Sequence, residues 1–301
     1  MTSPLATAGA PFGRVLTAMV TPFTDDGDLD LDGAQKLASH LVDAGNDGLV
    51  VSGTTGESPT TSGEEDGRLL AAVLEAVGDR ATVVAGVGTN DTRHSVELAE
   101  AAARIGAHGL LLVTPYYSRP PQAGIIGHVD AVAAAAGDVP IMLYDIPGRT
   151  GTELTRETYL AMNDRPTVTA MKDAVGDLHR GAWIMDNTDL ALYSGDDVLN
   201  LGWLAVGAAG VVSVVGHVAG PQYKAMVEAV DAGDLATARR IDRGLIGLVA
   251  AIMGQTQGAI AAKVAAHELG LISSPRVRLP LSQATDEQVA MIRAAIQKDT
   301  A

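Results

Sequence analysis

The feature that most restricts the fold of this chain is a rhythm. Eight short apolar or β-branched runs, at 15–20, 48–52, 82–86, 109–113, 141–144, 168–171, 191–194 and 210–213, are each followed by a helix-like segment or by a loop leading to one. Most of them lack the apolar-polar alternation of a strand with one wet face, and continuous apolar runs of this length suit parallel strands buried on both sides. The segments between them carry apolar residues at helical spacing, as in Leu69, Leu70, Val73, Leu74 and Val77 within 63–77, and again across 91–105. Gly45, Gly78, Gly106 and Gly137 stand where individual helices should close. Eight alternating units in about 230 residues predict an α/β protein, a (β/α)8 TIM barrel, for which about 250 residues is typical. The competing architecture, a doubly wound open sheet, wants a glycine-rich turn after its first strand. Here that turn is Thr21-Pro22-Phe23-Thr24.

From about Asp231 the strand signal stops, and helices are expected at 235–252, 260–269 and 286–298. The expected division is an N-terminal arm at 1–13, a barrel at 14–231 and a small C-terminal α-helical domain at 232–301. The arm, rich in Ala, Thr, Ser and Pro, reads as loose; it lacks the basic start and apolar core of a signal peptide and the arginines of a transit peptide. No apolar run approaches the roughly 20 residues that span a bilayer. A cytoplasmic protein without a membrane partner is expected.

A net charge of −15 repels phosphate backbones and argues against nucleic acid, leaving a small molecule as the expected partner. With no cysteine in the chain, thiolate nucleophiles, disulfides and Cys-type zinc sites are excluded. The acidic stretch 25–32 resembles a calcium loop, but its glycine is misplaced and no glutamate closes it, so it reads as a turn ending in a helix N-cap at Asp30 or Asp32. The seven histidines are scattered without ligand spacing, and neither metal nor cofactor is expected.

In a (β/α)8 barrel, active sites assemble from the carboxyl ends of the strands and the loops that follow. The reactive side chains of this chain collect at those places. Gly53-Thr54-Thr55-Gly56-Glu57 follows the second run, and Thr114-Pro115-Tyr116-Tyr117 the fourth. Tyr144 ends the fifth, with Arg149 just beyond. Lys172 ends the sixth, Gly195-Asp196-Asp197 follows the seventh, and Ser213 closes the eighth. Taken singly these are explicable as a tight turn, surface aromatics, a solvated charge and a lysine reaching for water. Taken together they offer an amine nucleophile, a hydroxyl proton relay and a carboxylate clamp. Asp196 and Asp197 occupy the loops where such barrels often hold phosphate, which favours a carboxylate substrate without phosphate.

With these residues in view the chain resembles the dihydrodipicolinate synthase family of pyruvate-dependent Schiff-base lyases. The resemblance runs from Thr17-Ala18-Met19-Val20-Thr21-Pro22 to Arg278-Leu279-Pro280 and includes Gly53-Thr54-Thr55-Gly56-Glu57-Ser58, Val113-Thr114-Pro115-Tyr116-Tyr117, Tyr144-Asp145-Ile146-Pro147-Gly148-Arg149-Thr150-Gly151 and Ser194-Gly195-Asp196-Asp197. It implies that Lys172 condenses with pyruvate and that the enamine attacks L-aspartate 4-semialdehyde, giving 4-hydroxy-tetrahydrodipicolinate for diaminopimelate and lysine synthesis. Tyr144 would shuttle protons, joined through Thr54 to Tyr117, which in the family comes from the neighbouring subunit. The resemblance further implies that Thr54 and Thr55 hold the pyruvate carboxylate and Arg149 the semialdehyde carboxylate. The backbones near Gly195 and Val212 would line the lysine's pocket, and a homotetramer, a dimer of dimers, would be the assembly.

Sister families share the barrel and the lysine. N-acetylneuraminate lyases resemble Gly-Ser-Thr-Gly-Glu at the first motif and lack the arginine, whereas this chain has Thr54 and Arg149. An aldolase for 2-keto-3-deoxy sugar acids is the alternative enzyme, and a barrel kept only as a binding protein is the non-catalytic one. Lysine-inhibited members resemble a pattern with histidines in the helix after the threonine motif and a glutamate after the third strand. Here Gly63, Asp66 and His94 stand at those places while Asn90 and Tyr116 remain, so weak or absent lysine feedback is expected.

Overall fold

The computed structural model describes residues 9–299. Parallel strands β1 (Val15–Ala18), β2 (Gly48–Val51), β3 (Thr82–Gly86), β4 (Gly109–Val113), β5 (Ile141–Asp145), β6 (Val168–Asp173), β7 (Ala191–Ser194) and β8 (Gly210–Ser213) close in chain order, β8 pairing back onto β1. Each expected run is a strand. The first stops at Ala18, short of the expected 20, and the sixth continues through Lys172 and Asp173, so the lysine lies within the sheet instead of just past it.

Strand residues divide between two cores. Leu16, Val50, Val84, Leu111, Met142 and Ala170 fill the barrel interior. Leu49, Val83, Leu110, Leu143, Met171 and Leu192 face the helices outside. Both faces are apolar, which is why the sequence shows no alternation. Phe12 closes the floor: its ring meets Tyr193 edge-on at 6.3 Å and its N–H donates to the Tyr193 hydroxyl at 3.2 Å. Burying such a ring contributes about 1.5–3 kcal/mol. Residues 10–13 of the expected loose arm are therefore packed, with Ala10 and Phe12 buried, while Gly9 is exposed. The rest of that arm lies outside the described residues.

Around the barrel run α1 (Leu31–Asp43), α2 (Gly63–Val77), α3 (Thr92–Ile105), α4 (Gln122–Ala136), the single turn α5 (Pro147–Thr150), α6 (Arg156–Asn163), α7 (Leu178–Asn187), α8 (Asn200–Ala205) and α9 (Gly216–Asp231). Side chains of Asp30, Asp91, Thr155 and Asp177 accept amides at the starts of their helices, and Ser62 with Glu65 forms a reciprocal capping box. Asp30 is thus the cap that ends the acidic turn. Gly45, Gly106 and Gly137 have positive φ as expected of helix stops, whereas Gly78 at φ −64 stays in the helical region.

A C-terminal layer of α10 (Leu235–Met253), α11 (Gly258–Glu268) and α12 (Asp286–Asp299) packs on α9 through Tyr223, Met226, Leu248, Ile252, Val264 and Ile292. Two contacts fasten it to the catalytic rim. The fully buried Lys263 pairs with the buried carboxylate of Glu57, at the end of the threonine loop. Arg278 reaches Glu65 at 2.6 Å, the Gly27 carbonyl at 2.8 Å and, through its own N–H, Glu57 Oε2 at 2.8 Å. Among the described residues no single helix is long and apolar enough to cross a membrane.

Candidate active site

Lys172 and Tyr144 are direct partners across β5 and β6, and both side chains enter the barrel mouth. Lys172 is 5% exposed, with Nζ 4.4 Å from the centre of the Tyr144 ring. Burial, helped by the Arg149 charge and opposed by Asp197, pushes its amine from 10.5 down to about 8. Such a shift raises the neutral, nucleophilic fraction at pH 7 by about 300-fold. Burial also pushes the Tyr144 phenol up to about 12, Arg149 opposing and Asp196 adding to the effect. The pair therefore sets a partly free amine beside a phenol that keeps its proton.

The two residues open into a cavity of about 200 Å³ lined also by Thr54, Thr55, Arg149 and Gly195. An outer cavity of about 290 Å³ shares Thr54, Tyr144 and Arg149 and adds Tyr116 and Tyr117. Gly195 is required where it stands, because a Cβ there would lie 2.8 Å from both Cγ and Cε of Lys172. The threonine loop is shaped by two non-glycine residues in the left-handed region, Ser52 at φ 52 and Glu57 at φ 60. Such conformations cost free energy and persist when surrounding contacts hold them, as the Glu57–Lys263 pair does here.

Tyr117 is at the outer edge, 88% exposed and at φ 73. Its placement brings it to the outer cavity but leaves it solvent-facing in a single chain. Val212 is buried in the barrel interior, and from that strand end it is Val214 that lines the lysine cavity. Asp197 is a buried hub accepting from Asn200 Nδ2 at 2.9 Å, from the amides of Val214 and Val215 at 2.8 and 3.1 Å, and from the Ser213 hydroxyl. That fixed negative charge beside the cavity suits a substrate without phosphate.

Sequence reasoning missed Met253, which reaches the lysine cavity from α10, because nothing local marks a C-terminal helix as a cavity wall. It also passed over Asp145 and Asp173, each directly following a reactive residue. At the positions tied to lysine inhibition, Gly63 begins α2, Asp66 accepts from the Thr61 hydroxyl at 2.8 Å, and the half-buried His94 lies 3.3 Å from Glu97. Among the described residues no group of three or more His, Asp or Glu is placed to hold a metal ion.

A closed (β/α)8 barrel presenting a buried, partly neutral lysine to a cavity with an arginine and a phenol is built as the class of enzymes that attach carbonyl substrates to a lysine. The chain belongs to the dihydrodipicolinate synthetase family, whose model matches residues 11–299. It is 57% identical to 4-hydroxy-tetrahydrodipicolinate synthase 2 of Streptomyces coelicolor over 97% of this chain and 96% of that one. The identity to the 4-hydroxy-tetrahydrodipicolinate synthase of Acidothermus cellulolyticus is 59%, over 94% and 91%. Among solved structures it is similar to a dihydrodipicolinate synthase of Bacillus anthracis, with TM-score 0.92, 37% identity and coverage of 96% and 98%. The DHDPS of Cyanidioschyzon merolae, solved with lysine bound, matches with TM-score 0.92 and 42% identity over the same shares.

Proposed function

We propose that this chain is a lyase that condenses pyruvate with L-aspartate 4-semialdehyde to give 4-hydroxy-tetrahydrodipicolinate, the reaction for which its relatives are named. The observation that carries the reading is the buried Lys172 amine, lowered to about 8, facing Tyr144 in a cavity that also contains Arg149. Lys172 Nζ attacks the pyruvate carbonyl carbon, and loss of water leaves an imine. Removal of a proton from the methyl carbon gives the enamine, whose carbon attacks the aldehyde. The amine of the incoming semialdehyde then displaces Lys172, closing the ring and freeing the enzyme.

Tyr144 gives and takes the protons of these steps, with Thr54 and Tyr117 as its relay to solvent. Thr55, with Thr54, holds the pyruvate carboxylate, and Arg149 grips the semialdehyde carboxylate as a guanidinium fork does. Gly195 and the backbone beside Val212 leave room for the lysine stem. The position of Tyr117, exposed in one chain, supports a homotetramer in which a neighbour supplies it to each site. The proposed division puts the barrel at 14–231 and the C-terminal helical domain at 232–301, in a cytoplasmic enzyme.

The test is incubation with pyruvate and borohydride followed by peptide mass mapping, together with a coupled assay comparing aspartate semialdehyde with sugar-acid aldehydes. The adduct is expected on Lys172 and turnover with the semialdehyde. An adduct elsewhere, or turnover confined to sugar-acid aldehydes, overturns the proposal.

A further inference from the structure

The strand pair that carries Tyr144 and Lys172 is gripped from outside by one arginine. The residue pair following Tyr144 and Lys172 in the β5–β6 register is Asp145 and Asp173. Strand alternation sends these carboxylates to the opposite face, between the barrel and its helices. There Arg180, from α7, reaches both, donating from Nη1 to Asp173 Oδ2 at 2.8 Å and from Nη2 to Asp145 Oδ2 at 2.5 Å. Nη2 also donates to the Tyr159 hydroxyl at 2.8 Å, which in turn donates to Asp145 Oδ2 at 2.8 Å. Asp173 Oδ1 accepts the amides of Val175 and Gly176 at 3.0 and 2.9 Å. Asp145, Asp173 and Tyr159 are wholly buried, and only Glu153, 3.2 Å from Arg180 Nε, is well exposed.

Cohesion alone is a poor explanation for such a cluster, since well-packed apolar residues of similar volume often hold an interior as well or better than a buried ion network. The strand pairing supplies a better one. Ile141 pairs with Val168 but Met142 with Ala170, so Thr169 is an extra residue in β6. An offset of one residue inverts the facing of everything beyond it. Were Thr169 paired with Met142 in unbroken alternation, Asp145 would face Lys172 in the register, and the lysine would turn toward the helices and its neighbours toward the cavity. The Thr169 hydroxyl has no hydrogen-bond partner among the described residues, so it does not hold the offset in place. The Arg180 bridge crosses the same two strands immediately beyond the reactive pair.

We propose that Arg180 is a positioning residue: by bridging Asp145 and Asp173 it holds β5 and β6 in the register that keeps the Lys172 amine over the Tyr144 ring. The inference rests on the reading of Lys172 as the imine-forming nucleophile. Arg180→Lys keeps the charge but loses the planar fork that spans two carboxylates. Should that variant fail to fold, Asp173→Asn keeps an acceptor for the Val175 and Gly176 amides while turning a donor toward Arg180. Glu153→Gln is the control, removing only the outer carboxylate.

The measurement is kcat/KM for each substrate separately, with the rate constant of borohydride-trapped imine formation from pyruvate. In Arg180→Lys or Asp173→Asn, imine formation and kcat/KM for pyruvate should fall by about 10- to 100-fold, the scale of a misplaced reacting group, and kcat/KM for the semialdehyde should fall distinctly less. Glu153→Gln should leave both unchanged. A smaller folded fraction would scale both specificity constants alike. An equal fall in the two, no fall at all, or the same fall in Glu153→Gln overturns the positioning role while the imine reading stands. Absence of a Lys172 adduct in the wild-type enzyme overturns the imine reading, and the positioning role with it.

Discussion

The Lys172 amine stands 4.4 Å from the centre of the Tyr144 ring, and the two residues are direct partners in the β5–β6 register. A ring face attracts an ammonium, yet burial dominates and the amine is still pushed down to about 8. The phenol, pushed up to about 12, keeps its proton across the working range. Opposite shifts in adjacent groups suit the proposed division of roles between nucleophile and proton donor.

The first prediction concerns pH. Because the neutral amine attacks, the rate of imine formation should rise with pH and level off above about 8, well below the ordinary lysine value of 10.5. Quenched-flow trapping with borohydride between pH 6 and 10 measures it. A limb that continues rising to the ordinary lysine value would show that burial does not set the reactivity of Lys172.

Arg149→Ala should act on both substrates in different ways. Loss of its charged hydrogen bonds weakens semialdehyde binding by about 1.5–3 kcal/mol, while the pyruvate adduct still forms. Arg149 lowers the Lys172 amine, so its removal should also move the pH limb of imine formation upward. Steady-state titration and the trapping profile check the two parts independently.

Tyr117 is exposed and at φ 73 in the isolated chain, and the proposed role across a subunit boundary would account for both. Inactive Tyr117→Phe and Lys172→Ala chains, mixed under conditions of proven subunit exchange, should regain activity at sites holding both intact residues. Exchange without recovery would assign Tyr117 to its own barrel, or to no relay.

Glu57 and Lys263 fasten the C-terminal layer to the threonine loop. Lys263→Met leaves a buried carboxylate without its ammonium and should cost about 3–5 kcal/mol in urea unfolding. Adding Glu57→Gln should cost less than the sum of the single losses, since the pair is removed together. Simple additivity would mean that the two side chains are not coupled.

L-Lysine should inhibit weakly or not at all. A bound lysine needs partners for a carboxylate and two amines, and an unpaired charge leaving water is costly. Gly63 offers no side chain, His94 is turned toward Glu97, and Asp66 is engaged by the Thr61 hydroxyl. Each missing charged hydrogen bond weakens binding by roughly 1.5–3 kcal/mol. Initial-rate titration at subsaturating pyruvate, with calorimetry, tests this; cooperative inhibition at submillimolar lysine would contradict it.

Much of the molecule is decided locally and is legible along the chain. Continuous apolar runs mark all eight strands, Asp30 and Ser62 mark helix starts, and the rule that strand carboxyl ends carry chemistry assembles Thr54, Tyr144, Arg149, Lys172 and Gly195 around one cavity. What the chain alone leaves open is which way each strand residue faces. A strand buried on both sides has no polar face, so alternation carries no phase. Only the pairing of β5 with β6, with Thr169 as the extra residue, turns Lys172 inward and Asp173 outward to Arg180. The same holds for Met253 at the lysine cavity and Lys263 against Glu57. Each depends on contacts between distant segments, and no local propensity encodes these.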